Sequence, residues 1–426
     1  MALINFISKF SKLMLLKILS SALSLIFYYV LAKQLSVSQF GLLSLAMSCL
    51  LFCNAFAKQG LEQAVVRFFA VNEYIIKYQL YKKVIAYSGI SAALIAFLVY
   101  LFSTEIAQYL FIKVELEDLL VFVAFLTILQ TWLGINSSVL KGAGKPAPSL
   151  FFNGVLTFSL CLILFYFSPP IDGISAIKQF FIAVAISCLI SFVYVLISFR
   201  FSIAKGTNST INNTKHVTAP IKPLLATSRA LFLISLSALV TQQLSTLILA
   251  RTASLETIAL FTLAIKITLL MSYPLIVMNA ITAPKYARLY HQRELLDFKE
   301  LAFFTNKILI LIASIALFFV YMFTDELMVL FDEHYKAAIP LIKILAIGQW
   351  FNLATGSVVS MLIMAGFEKK FRAITLILTS VSIVLMLILI PIYGVFAAAW
   401  ITSISMALKN IISWYVVYKN IYSKVR

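Results

Sequence analysis

The chain has 426 residues, 62% of them hydrophobic and only 12% charged, and its 34 cationic side chains against 16 acidic ones leave a net charge of +18. A water-soluble protein carries about a quarter charged residues and could not bury so much apolar side chain in one core, so a soluble enzyme or binding domain is excluded. Twelve membrane spans of about 20 residues would use ~240 residues, leaving little for soluble domains.

Apolar stretches run over residues 13–31, 39–57, 84–102, 119–140, 150–167 and 180–199, and after a polar connection over 231–250, 257–280, 308–323, 339–364, 374–390 and 395–417. In hydrocarbon every backbone donor and acceptor has to be paired within its own segment, so these stretches predict helices. The expected fold is all-α, a polytopic membrane protein of about 12 transmembrane helices. Most cations gather on alternate connections and at the chain ends, as at Lys9, Lys82, Lys83, Lys145, Lys369 and Lys424. The positive-inside rule then puts those connections and both termini in the cytoplasm. Such charge suits an anionic inner leaflet, so anionic lipids are expected partners and nucleic acid is not.

Residues 1–12 read as an interfacial amphipathic helix, with Leu3, Phe6, Ile7 and Phe10 on one face and Asn5, Lys9 and Lys12 opposite. Lys17 interrupts the apolar core that a cleaved signal would need. Cys49, Cys53, Cys161 and Cys188 lie inside spans rather than in loops, and His216, His291 and His334 lie in separate loops. Neither a disulfide framework nor a metal site is expected.

Residues 31–48 (LAKQLSVSQFGLLSLAMS) laid on residues 249–266 (LARTASLETIALFTLAIK) match at Leu31/Leu249, Ala32/Ala250, Ser36/Ser254, Leu42/Leu260, Leu45/Leu263 and Ala46/Ala264. The cations Lys33 and Arg251 align as well. The offset spans an even number of helices, so the two copies share one orientation and form a parallel repeat. The expected domains are a six-helix lobe over 13–201, a cytoplasmic linker over 202–223 rich in Gly, Asn and Pro, and a second six-helix lobe over 224–426, with a central cavity between the lobes.

No HExxH, DxD or Gly-x-Ser-x-Gly pattern occurs, and Gly142-Ala143-Gly144-Lys145 lacks the first glycine of a phosphate loop at Val139 and its hydroxyl at Pro146. No catalytic residue and no cofactor is therefore assigned. Polar groups inside spans carry more information, because a charge near the bilayer centre costs roughly 2.5 to 3.5 kcal/mol and is tolerated mainly where it faces water or a partner. Lys266 lies inside the eighth span with no acidic residue from Thr257 to Ala280, and Tyr273 follows seven residues on along the same face. The second span ends with Asn54, Lys58 and Glu62 on one face, in a helix expected to continue to Arg67, whose guanidinium suits bidentate phosphate contact. Gln242 and Gln243 interrupt the seventh span. No carboxylate lies mid-membrane, so a cavity bearing Lys266 with Arg67 at its mouth favours an anionic substrate over an organic cation.

Leu31-Ala32-Lys33 followed by Ser38-Gln39-Phe40-Gly41-Leu42, the run Leu61 to Arg67 (LEQAVVR), Leu140-Lys141-Gly142-Ala143-Gly144 and Ala365-Gly366-Phe367-Glu368-Lys369 resemble the Wzx-type flippases for O-antigen and capsule repeat units. These form the polysaccharide branch of the multidrug/oligosaccharidyl-lipid/polysaccharide exporter superfamily. The resemblance implies movement of an undecaprenyl-diphosphate-linked oligosaccharide from the inner to the outer leaflet of a bacterial cytoplasmic membrane by alternating access. It implies that the first, second, seventh and eighth spans line the path, placing Lys266, Lys58, Arg67, Gln242, Gln243 and Tyr273 along it, with Lys33 and Arg251 at the outer mouth. Glu62 is the candidate for ion coupling, and a polysaccharide polymerase and a chain-length regulator are the protein partners such a system would have. The alternatives are a MATE-like cation or drug antiporter and, behind it, a membrane-embedded polysaccharide polymerase or ligase.

Overall fold

The computed structural model describes residues 2–71, 74–206, 221–331 and 333–424; the side chains of residues 2–12 and of Gln242 lie outside that description. Among the described residues the regular structure is helical, with no strand. The first helices are α1 (Ala2–Gln34), α2 (Val37–Lys58), α3 (Leu61–Val71), α4 (Tyr74–Leu101), α5 (Leu116–Gly142), α6 (Pro146–Phe167) and α7 (Gly173–Gly206). There follow α8 (Ile221–Thr252), α9 (Leu255–His291), α10 (Leu295–Phe331), α11 (Ile339–Ala354), α12 (Val358–Met364) and α13 (Glu368–Asn420).

Ten helical stretches among the described residues are long and apolar enough to cross a membrane. One of them, α13, has 53 residues and bends at Gly394, whose φ of 61° and ψ of −143° suit a residue without a side chain. At 1.5 Å per residue it is ~80 Å long, more than twice the hydrocarbon thickness, and it holds the last two expected spans. The seventh expected span lies within the 32 residues of α8. The chain is thus a multi-pass, all-α membrane protein.

Several helices depart from the simple reading. The run from the second span to Arg67 is not continuous, because Gln59 (φ 45°) and Gly60 (φ 77°) adopt left-handed backbone and α3 starts afresh at Leu61. A Cβ on Gly60 would stand 2.8 Å from Phe232 N, so only glycine lets the chain turn here against α8. The expected tenth span divides into α11 and α12 at Gly356, and residues 2–12 are continuous with the rest of α1. Within α6, residues 151–156 widen to a π-helical turn, and within α9 residues 270–272 tighten to a 3-10 turn.

The two repeated hairpins have the same construction at matching positions. Gln34 and Thr252 end α1 and α8, and Ser36 and Ser254 cap the following helices, their hydroxyls accepting from Gln39 N and Thr257 N, each at 3.3 Å. An N-cap serine satisfies one of the orphan amides of the helix start, which explains why Ser recurs there.

Two compact units result, Met1–Leu236 and Ser237–Arg426. Their division falls inside α8, because its first part packs on the α2–α3 turn: Phe56 and Phe232 rings lie 5.7 Å apart and the Ser228 hydroxyl donates to Gln59 O. Residues 207–220 of the expected linker lie outside the described residues. In the first unit α5 is the central post, buried along most of its length, with Asn136 accepting from Tyr81 OH at 2.9 Å and donating to Ser191 Oγ at 2.9 Å. In the second, Tyr286, Phe298, Leu362 and Val417 form a closed core beside α12.

Candidate functional site

The first unit contains an open polar cavity of about 400 Å³, within the range of ligand sites. Lys17 and Ser20 enter it from α1, Glu62, Gln63 and Val66 from α3, Gly134, Ser137, Ser138 and Lys141 from α5, and Ser149, Leu150 and Asn153 from α6. Each wall has a local cause. The left-handed turn at Gln59–Gly60 redirects the chain so that the first turn of α3 presents Glu62 and Gln63. Gly134 and Gly154 have no side chains to fill the space: a Cβ on Gly134 would meet Lys58 Nζ at 2.7 Å, and one on Gly154 would meet the Ser20 hydroxyl. Asn153 sits in the π-helical turn, and such turns change the register of side chains on a helix face. Ser137 bonds Ser149 both at its carbonyl (3.1 Å) and at its hydroxyl (2.7 Å), holding α5 to the start of α6.

The cavity is cationic. Glu62 Oε1 is 2.9 Å from Lys58 Nζ, so this carboxylate is already neutralised within the chain. Lys17 and Lys141 face the same space and act on each other electrostatically. Among the described residues neither is in an ion pair.

A second, smaller cavity of about 70 Å³ lies in the other unit, around Lys266. Its polar walls are Gln243 of α8, Thr268 of α9, Gln349 of α11, and Thr402 and Ser403 of α13, all uncharged. Gly348 lets α11 approach α13 there, since a Cβ would be 2.7 Å from the Ser403 Cα. Lys266 and Gln243, which lie far apart in sequence, thus share one space. Tyr273 is not among its walls. Seven residues at 1.5 Å each put Tyr273 about 10 Å along the helix axis from Lys266, beyond the reach of so small a cavity.

Lys33 and Arg251 are exposed at the ends of α1 and α8, and Arg67 is exposed on α3 one turn beyond Gln63. Asn54 is held against α5, donating to Gln130 Oε1 at 2.9 Å and accepting from Thr131 at 3.3 Å. Sequence reasoning missed Lys17, Lys141, Ser138 and Asn153 as cavity residues. The available signal was the polar run Asn136-Ser137-Ser138 inside an apolar span, followed one turn later by Lys141, together with a lysine inside the first span.

Solved structures of the same architecture cover nearly the whole chain. An inward-facing multidrug resistance MATE family transporter of the MOP superfamily superposes with a TM-score of 0.72 at 15% identity, over 96% of this chain and 95% of its own. The lipid II flippase MurJ in an inward closed conformation gives 0.70 at 16% identity, over 95% and 87%. A MOP superfamily transporter from Pyrococcus furiosus, described by the reverse polarity of its binding pocket, gives 0.65 at 14% identity, over 98% and 96%. At these identities the likeness shows the fold alone, the one these transporters share. No curated protein sequence matches the chain significantly. The sequence profile of one family does match, over residues 6–288, and on that extent the chain belongs to the polysaccharide biosynthesis protein family.

Proposed function

We propose that this protein is a Wzx-type flippase, which carries an undecaprenyl-diphosphate-linked oligosaccharide repeat unit from the inner to the outer leaflet of a bacterial cytoplasmic membrane by alternating access. The observation that carries the reading is the excess of positive charge in polar cavities of a polysaccharide-family membrane protein. A diphosphate needs cationic and hydroxyl partners, which Lys17, Lys141 and the serines supply in the larger cavity, whereas glycan hydroxyls bond neutral amides such as Gln243 and Gln349 in the smaller one. The likeness to a flippase of lipid II supports the same class of cargo. Lys58, Arg67, Lys33 and Arg251 are assigned to the approach and outer mouth of the path. Glu62 is the coupling candidate, since its protonation would release Lys58.

A MATE-like cation antiporter is the second reading, favoured by the fold shared with a multidrug transporter. Recognition of a cation there would call for a carboxylate, and the one lining the larger cavity is bound to Lys58. Deleting the gene separates the readings. A flippase deletion abolishes one surface polysaccharide and leaves its undecaprenyl-linked unit on the inner leaflet; an antiporter deletion lowers tolerance to cationic dyes with surface glycan unchanged. Lipid-linked units on the outer leaflet of the deletion strain would contradict the proposal.

A further inference from the structure

We infer that the cavity of the first unit is a phosphoryl-anion site, with Lys17 and Lys141 as its charged ligands and Ser138 and Asn153 as its neutral ones. Two ammonium groups converging on one space repel each other, and an anion between them removes that cost. Lys141 alone has a local explanation, because it is in the last turn of α5, where the helix dipole favours a cation. Lys17 has no such dipole partner: it stands at neither end of the 33 residues of α1 and is the fifth residue of the apolar span that begins at Leu13. An ionised lysine in such a segment marks a path for charge.

The balance of charge gives the ligand class. Lys17, Lys58 and Lys141 against Glu62 leave two positive charges in excess, which match the two negative charges of a diphosphate diester. Hydroxyl and amide donors beside the ammonium groups suit non-bridging phosphoryl oxygens. The cavity around Lys266, at about 70 Å³, is too small for a diphosphate with its first sugar, and the one of about 400 Å³ is not. Two sources share this chemistry: the diphosphate of a polyprenyl carrier and the phosphodiester headgroup of a bilayer lipid. The first rests on the proposed function; the second does not.

The test titrates the purified full-length protein in detergent with undecaprenyl diphosphate, phosphatidylglycerol or undecaprenol and reads binding by native mass spectrometry. Lys17→Gln and Lys141→Gln should each weaken undecaprenyl diphosphate about tenfold or more, a change of ~1.4 kcal/mol, and leave undecaprenol unchanged. Lys17→Arg and Lys141→Arg should recover most of the affinity. Asn153→Ala, at an exposed position that tolerates truncation, should weaken it by roughly threefold and carries the test should the Gln variants not fold. Phosphatidylglycerol binding as tightly, with the same dependence on both lysines, would assign the site to the headgroup and support the inference without the carrier. Undecaprenyl diphosphate binding that is tight but indifferent to all these variants would overturn the inference and leave the flippase proposal standing. No preference of the parent protein for any phosphorylated ligand over undecaprenol would overturn it too.

Discussion

Gly134 packs directly against the ion pair between Lys58 and Glu62: a methyl group at residue 134 would lie 2.7 Å from Lys58 Nζ and still closer to Glu62 Oε1. The pair bridges the left-handed turn between α2 and α3, and the missing side chain on α5 gives it room. Gly134→Ala should therefore displace the flexible ends of Lys58 and Glu62 and weaken their pair, a destabilisation of about 0.5–1 kcal/mol. Adding Glu62→Ala, which shortens the obstructing side chain, should recover part of the loss. Thermal unfolding of the parent and the two purified variants checks this, and a Gly134→Ala protein as stable as the parent would show that the contact is not tight.

Lys266→Ala should lower transport roughly tenfold or more while protein abundance stays near normal, because Lys266 lines a polar space with Gln243 and Gln349 rather than the apolar core. Lys266→Arg should keep much of the activity. Full complementation by the alanine variant at low expression would remove Lys266 from the path and leave it a lysine whose stem merely reaches toward the interface.

The cation distribution predicts that reporters fused after Lys83, Ser209 and Arg426 read cytoplasmic, and reporters after Lys113 and Glu333 read external. An external signal at Ser209 would reverse the orientation of every charged connection, and with it the direction assigned to transport.

Asp172, just ahead of α7, accepts from Ser175 N at 2.7 Å, and this amide and the Ser175 hydroxyl hold its carboxyl below the usual carboxylate range. A depressed value means the bond stabilises the fold above the unfolded pKa of ~3.9 and is lost as pH falls through the lower folded value. Asp172→Ala should cost about 1 kcal/mol at neutral pH, the usual worth of a helix cap, and the difference from the parent should shrink in acid. Gly173 N also bonds Gln39 Oε1 at 2.9 Å, tying the start of α7 to α2, so melting curves at pH 7 and below pH 4 report on this corner. An equal deficit at both pH values would assign the loss to packing rather than to charge.

The helices were legible because hydrocarbon forces continuous backbone pairing, so each apolar stretch between charged connections had one outcome. The repeat was legible at Ser36 and Ser254, where cap chemistry restricts the residue. The α2–α3 break was not, since Gln59 is a residue of ordinary helical preference and only its partner Gly60 signals a turn. The π-turn at Asn153 has no sequence signature, and it alters which residues face the cavity. Lys17 and Lys141 read separately as topogenic charge; their meeting is a tertiary fact, carried by α1 and α5 packing around the start of α6. The cost of a charge or an amide in lipid singles out Lys266 and Gln243 in the sequence, and both line one polar cavity. Tyr273 lies outside the walls of that cavity, about two helical turns along α9 from Lys266, a separation along the axis that helical periodicity does not weigh.

Transport of a lipid-linked saccharide is read directly by leaflet accessibility. The purified protein is reconstituted into vesicles with a fluorescent undecaprenyl-diphosphate oligosaccharide in the inner leaflet, and an external glycosidase or quencher reports its arrival outside. The parent protein should make this substrate accessible far faster than empty vesicles, and Lys266→Ala and Lys17→Gln should slow it about tenfold or more. Accessibility no faster than in empty vesicles under any imposed proton or sodium gradient, together with gradient-driven uptake of a cationic dye, would contradict such transport.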